Sequence, residues 1–228
     1  MATNQIELTA AISALQVFCG PDLAQTIERI EASLQNTTAD TCGAALAACG
    51  SRAEVLSAAG LVKRLAGQIH VIIHALGILL CLPRILKPGE VIEYVSLGAG
   101  NTGRPFDLET NQRIAEFKFI RWQGGTEPIR QNALFKDFYG MAEYPIEKQK
   151  FLYVLGTEVP EKFFNGGRAI SSVFSRNVKL WKEFEAKFGA QCRTVSDYYL
   201  PRKSAVVIHD VSPFVPELVD AATESEEL

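Results

Sequence analysis

The sequence predicts an α/β protein whose first third is helical and whose remainder alternates strands with helices. Three observations carry this. Apolar residues recur at helical spacing from residue 5 to about residue 82. From Val91 the period shortens, and β-branched and aromatic runs bounded by Gly, Pro and Asn read as strands. Helical spacing then returns at 126–143 and 168–188, which places helices against a sheet.

The elements follow in order. Residues 5–18 form a first helix, and Gly20-Pro21-Asp22 breaks it and starts a second, with Leu23, Ile27, Ile30 and Leu34 on one face to about Gln35. An Ala-rich helix spans Asp40 to Cys49. Ser51 caps the next, with Glu54 at the capping-box position. Leu65 to Leu82 is the most hydrophobic stretch, but Gln68, His70 and His74 interrupt it. We expect a buried core helix rather than a membrane span, which needs about 20 predominantly apolar residues. Pro83 and Pro88-Gly89 end it. Val91–Leu97 is a strand, and Gly98 to Gly103 is a glycine loop. Phe106–Thr110 and Ile114–Trp122 are a second and third strand, joined as a hairpin through Asn111-Gln112. Thr126 caps a helix with Pro128 in its first turn, running to about Glu143. Phe151–Gly156 is a fourth, buried strand; residues 168–188 are one amphipathic helix; Ala205–His209 is a last strand. The chain divides as a helical extension at 1–64, a core at 65–215 and an acidic tail at 216–228.

Composition bounds the function. With 228 residues, 47% apolar and 21% charged, the chain is neither disordered nor fibrous and can bury a sizeable core. Five dispersed cysteines with no C-x-x-C pair exclude a disulfide framework and a zinc ribbon. Free thiols, and an N-terminus without a basic region and apolar core, give a cytoplasmic expectation. The net charge of −3 hides an asymmetry: residues 1–60 hold two basic and six acidic residues, whereas 61–215 hold 21 basic and 15 acidic. The central block can therefore face a polyanion.

The chemistry-bearing residues lie in that block. Glu116 and Lys118 are two apart on a strand and share a face, while Phe117 and Phe119 point to the core. Asp107 stands on the neighbouring strand. Two carboxylates with a backbone carbonyl form a hard oxygen site of the kind magnesium prefers, and a metal there can polarise a phosphodiester and activate water. Arg104, Arg113, Arg121, Arg130 and Lys136 surround this constellation in sequence and can bind phosphates. Trp122 and Tyr139 can stack on bases, although packing is the simpler role for both. His70 and His74 have the i, i+4 spacing of a metal pair but lack an intervening acid or a third ligand. Gly98, Gly100 and Gly103 match G-x-G-x-x-G, yet Pro105 and a hairpin follow where a dinucleotide site needs a helix. Cys192 has no nearby His, and no nucleophile elbow is present.

The order helix, strand, Asp strand, Glu-x-Lys strand, helix, strand resembles the PD-(D/E)XK nuclease superfamily. The resemblance covers about residues 65–160 and rests on Arg104-Pro105-Phe106-Asp107, on Ala115-Glu116-Phe117-Lys118 and on the helix carrying Gln131. It implies a restriction-endonuclease-like core, a mixed β-sheet flanked by helices in the order αβββαβ, with an N-terminal helical extension. It also implies that Asp107, Glu116 and the Phe117 carbonyl hold Mg²⁺ or Mn²⁺ while Lys118 assists the water. Gln131 and Phe135 match a Gln and an aromatic four residues apart in family exonucleases, with Phe where Tyr is usual. Phe106 separates the proline from Asp107, which departs from the pattern, and residues 65–86 contain no acid. Glu93 or Glu109 would have to supply a third carboxylate. The implied activity is metal-dependent cleavage of nucleic acid, DNA ahead of RNA, by a protein compatible with a homodimer. The alternatives are a non-catalytic nucleic-acid-binding or assembly protein of the same fold, and a nucleotide-binding protein using the glycine loop.

Overall fold

The computed structural model describes residues 2–35, 37–50, 52–98, 105–122 and 127–220. It contains two compact units, Met1–His70 and Val71–Leu228. The first consists of α1 (Ala2–Cys19), α2 (Leu23–Leu34), α3 (Ala39–Ala48) and the beginning of α4 (Ala53–Ile85). Asp22 starts α2 by accepting the backbone N–H groups of Ala24 and Gln25 at 2.8 and 3.1 Å. The Thr26 hydroxyl donates to the Cys19 carbonyl at 3.0 Å and ties α2 to the end of α1. The Ser51 cap lies outside the described residues, as do the caps and glycines at 123–126 and the tail beyond residue 220.

The helix α4 is 33 residues long and runs through Pro83 to Ile85 rather than stopping at the proline. In the last turn Pro83 removes only one ladder hydrogen bond, and Ile85, 8% exposed, anchors the end. The expectation of a buried core helix needs correction. Ile78, Cys81 and Ile85 are buried, but Ile72, Leu76, Leu79 and Leu80 are 43–54% exposed. By length and composition, α4 is long and apolar enough to cross a membrane.

The second unit is an α/β assembly around a five-stranded mixed open sheet. Its strands are β1 (Ile92–Val95), β2 (Leu108–Thr110), β3 (Arg113–Lys118), β4 (Gln149–Val154) and β5 (Val207–Asp210), in the order β1-β2-β3-β4-β5. The first three pair antiparallel, with Leu108 opposite Ala115; β3, β4 and β5 are parallel, with Glu116 beside Leu152. The crossover from β3 to β4 is α5 (Pro128–Glu143). Between β4 and β5 lie α6 (Glu158–Phe164), α7 (Ile170–Val173), α8 (Val178–Phe188) and α9 (Val195–Tyr199); α10 (Glu217–Asp220) follows β5.

Alternation along the strands separates two cores. Ala115, Phe117 and Tyr153 pack with Ile78, Cys81 and Ile85 of α4. Ile114, Leu152 and Val154 on the other face pack with Leu134, Phe135 and Phe138 of α5 and with the aromatic residues of α6–α9. The single helix expected over 168–188 is two. Its break follows from Asn177, whose side chain accepts the Leu180 N–H at 3.1 Å and starts α8 afresh. The short helices α6 and α9 were not expected, although the Thr194–Asp197 capping box that begins α9 is legible as T-x-x-D.

Candidate active site

The site is built at the end of β3. Phe117 is 1% exposed and lies against Tyr153 and Phe119, with ring centroids 4.8 and 5.7 Å away. This pins the strand, and strand alternation then turns Glu116 and Lys118 to the α5 face. Asp107 stands just ahead of β2 and accepts the Phe117 backbone N–H at 2.9 Å through Oδ2. Lys118 Nζ donates to Glu116 Oε1 at 2.9 Å and forms an ion pair with Asp137 Oδ2 at 3.0 Å. Asp107, Glu116 and Lys118, singled out in the sequence, therefore gather at the end of the central strand β3. Asp137 was not singled out. Its signal was an acid at the core-facing spacing of α5, three after Leu134 and four before Met141.

Two carboxylates share one ammonium, and the charge of Asp107 acts on both of them, which sets their electrostatics. Burial pushes Glu116 up to about 7; Lys118 opposes this, while the charges of Asp107 and Asp137 add to it. Burial also raises Asp137 against the pull of Lys118. Burial alone would lower Lys118, but Asp137 and Glu116 outweigh it and hold the ammonium above the ordinary lysine range. The sign for Glu116 is clear: its folded value exceeds its unfolded one, so its ionised form opposes folding. Its contribution to stability falls as pH rises from its ordinary value to about 7, then levels off. We expect Glu116→Gln to raise unfolding stability at pH 8 by up to about 3 kcal/mol, read by urea denaturation. A variant no more stable than wild type would contradict this picture.

His74 joins the cluster from α4, its Nε2 3.3 Å from Asp107 Oδ1. Of the two histidines with metal-pair spacing, His74 reaches a carboxylate of the site. Gly77, one turn on, admits the Phe119 ring against α4: a Cβ there would lie 2.6 Å from that ring. We expect Gly77→Ala to displace Phe119 and cost about 1–3 kcal/mol despite alanine's better helix propensity, measured as a lower denaturation midpoint at constant slope.

Other expected site residues fall elsewhere. Arg113, expected among the phosphate contacts, lies away from the cluster. It is 2% exposed, lies on the opposite sheet face, and is paired with the buried Glu90. Gln131 accepts from Arg168 at 2.9 Å rather than meeting the carboxylates. Arg130 donates to Glu127 at 2.5 Å and to the Arg121 carbonyl at 3.1 Å. Arg121 and Trp122 line a separate cavity of about 210 Å³ with Gly156 and Ser212. Glu93 and Glu109 both pair with Lys148, at 2.6 and 2.9 Å. Tyr139 belongs to the aromatic core. Arg104 and the glycine loop from Ala99 to Gly103 lie outside the described residues.

A cleft of about 310 Å³ opens beside the cluster, lined by Phe106, Glu116, Lys136, Asp137, Gly140 and Tyr144 among others. The oxygen donors are hard and the local charge is in negative excess, which fits a small divalent cation. In the arrangement described, Lys118 stands between Glu116 and Asp137, and among the described residues no three His, Cys, Asp or Glu side chains are gathered as metal ligands. No protein-family model matches the chain, and no curated protein or solved structure matches it.

Proposed function

We propose that this chain is a metal-dependent phosphodiesterase with a restriction-endonuclease-like core, cutting nucleic acid, DNA ahead of RNA. The observation that carries the reading is the convergence of Asp107, Glu116 and Lys118 where the start of β2 meets the end of β3. Around them the elements run α4, β1, β2, β3, α5, β4, with β3 and β4 parallel across α5. That is the order the family resemblance implies, and it supports extending the resemblance to mechanism.

Asp107, Glu116 and the Phe117 carbonyl would hold Mg²⁺ or Mn²⁺. The bound cation would supply the charge that polarises a phosphodiester and activates water. Asp107 is held against β3 by the Phe117 N–H and needs little reorganisation to act as a ligand. Lys118 is kept protonated by its two carboxylates, so it donates: it orients water and faces the charge that grows on the phosphoryl oxygens. His74 steadies the second oxygen of Asp107. Lys136 stands on the cleft wall as a phosphate contact.

The test is cleavage of labelled duplex DNA, single-stranded DNA and RNA in magnesium, manganese or chelator. Metal-dependent cutting is expected. A separate readout is thermal: magnesium at about 100 times its Kd should add about 2.7 kcal/mol of stability, and Glu116→Gln should remove that increment. Failure to cut any substrate under every metal condition would leave a nucleic-acid-binding role as the better reading.

A further inference from the structure

The cleft beside Glu116 and Asp137 has features that cutting alone does not require. On α5 its wall is cut away at Gly140, where a Cβ would meet no atom within 4 Å. Glycine in a helix interior is otherwise unfavourable, so the useful consequence here is space. Tyr144, 38% exposed, lies along the same wall and meets the Phe106 ring edge-on, centroids 4.8 Å apart. Lys136 makes no ion pair among the described residues. Lys136, Gly140 and Tyr144 are spaced four apart and follow one line along α5 and its cap. An ammonium, a gap and an aromatic edge thus succeed one another beside the carboxylates.

We propose that this cleft receives one unpaired nucleotide, its phosphate at Lys136 and its base against Tyr144 and Phe106. The substrate is then single-stranded nucleic acid or a frayed end rather than continuous duplex. The proposal rests on the phosphodiesterase reading above and names the substrate class of that site. A volume of about 310 Å³ is at the small end of ligand sites and accepts a nucleotide only when its base has left the stack. Stacking on an aromatic ring is tolerant of sequence because every base offers a π face. Phosphate contact through a lysine point charge is equally tolerant. The cleft therefore selects for strandedness, not for sequence.

The test measures binding apart from cutting. Asp107→Asn keeps an acceptor for the Phe117 N–H while removing a carboxylate charge. In that background, in magnesium buffer, fluorescence anisotropy compares a labelled single-stranded oligonucleotide with the blunt duplex of the same sequence. The single strand should bind at least about tenfold tighter. Adding Gly140→Phe or Gly140→Leu, which fill the cleft, should remove about tenfold or more of that affinity, Gly140→Ala less, and Tyr144→Ala about tenfold. Circular dichroism and thermal unfolding identify any variant that fails to fold. Equal binding of both forms, or single-strand binding that survives both filling variants, overturns the proposal. Wild-type cutting is scored separately. Duplex interiors cut as fast as single strands would overturn the proposal and leave the phosphodiesterase reading standing. Cleft-dependent single-strand binding without any cutting would support the cleft and sink the phosphodiesterase reading.

Discussion

Asp107→Ala and Lys118→Ala should each lower metal-dependent cutting by at least about a thousandfold, the scale of losing one preorganised charge at a reacting phosphoryl group. The two losses should differ in origin. Asp107→Ala removes a metal ligand, so the thermal increment from magnesium should vanish with the activity. Lys118→Ala leaves the ligands in place but strips Glu116 and Asp137 of their shared cation. It should therefore keep, or even strengthen, the magnesium increment while cutting is lost. Asp107→Asn controls for the structural half of the aspartate's role, since an amide oxygen can still accept the Phe117 N–H. Because the residues act as a unit, the double variant should be little worse than either single one. Full activity in a folded Lys118→Ala protein would remove the lysine from the mechanism.

Separating Glu90 from Arg113 should be the costliest single change to the fold. Their side chains are 0% and 3% exposed. Arg113 Nε and Nη2 each donate to a Glu90 oxygen at 2.5 Å, and Nη1 donates to the Tyr153 hydroxyl at 2.8 Å. The guanidinium also lies over Phe151, 4.8 Å from the ring centroid. Thr110 and the Lys87 N–H complete the carboxylate's shell at 2.7 and 3.0 Å. Either alanine variant leaves a buried charge alone and should cost about 3–5 kcal/mol. For a unit of this size that lowers Tm by roughly 10 °C. Glu90→Leu with Arg113→Met should recover much of the loss, because it removes both desolvation penalties. Burial pulls the Glu90 carboxyl up, but the hydrogen bonds from Arg113, Thr110 and Lys87 outweigh it and hold it below its ordinary value. Its ionised form therefore stabilises the fold above about pH 4, and that contribution drains away as pH falls through the lowered value. An acid-unfolding curve in which Glu90→Gln loses stability at pH 7 but converges on wild type at low pH would show the pair at work. A cost below 1 kcal/mol for both alanine variants would refute it.

The two charged pairs of β3 show how far local pattern reaches. Glu116 and Lys118 were legible because alternation on a strand is a property of the backbone, and Phe117 between them must point to the opposite face. Arg113 misled because it also sits on β3, near the site in sequence, yet an odd number of residues from Glu116 puts it through the sheet. Its charge was counted among the phosphate contacts, and only Glu90, 23 positions earlier, explains its burial. Gln131 misled differently: its helix was placed well, but the rotation of α5 aims it at Arg168, 37 residues on.

Local periodicity alone determined the helical first third, the hairpin of β2 and β3, the crossover α5 and the Asp107, Glu116, Lys118 set, because each depends on backbone geometry over a few residues. The tertiary structure decided what depends on pairs distant in sequence. It brought Asp137 of α5 to Lys118 and His74 of α4 to Asp107, and seated Phe119 against Gly77. It also placed β5 beside β4 and opened the cleft at Gly140. A buried charge is tolerable only with a partner, and the partner's identity is settled by how layers stack, which no window of sequence contains.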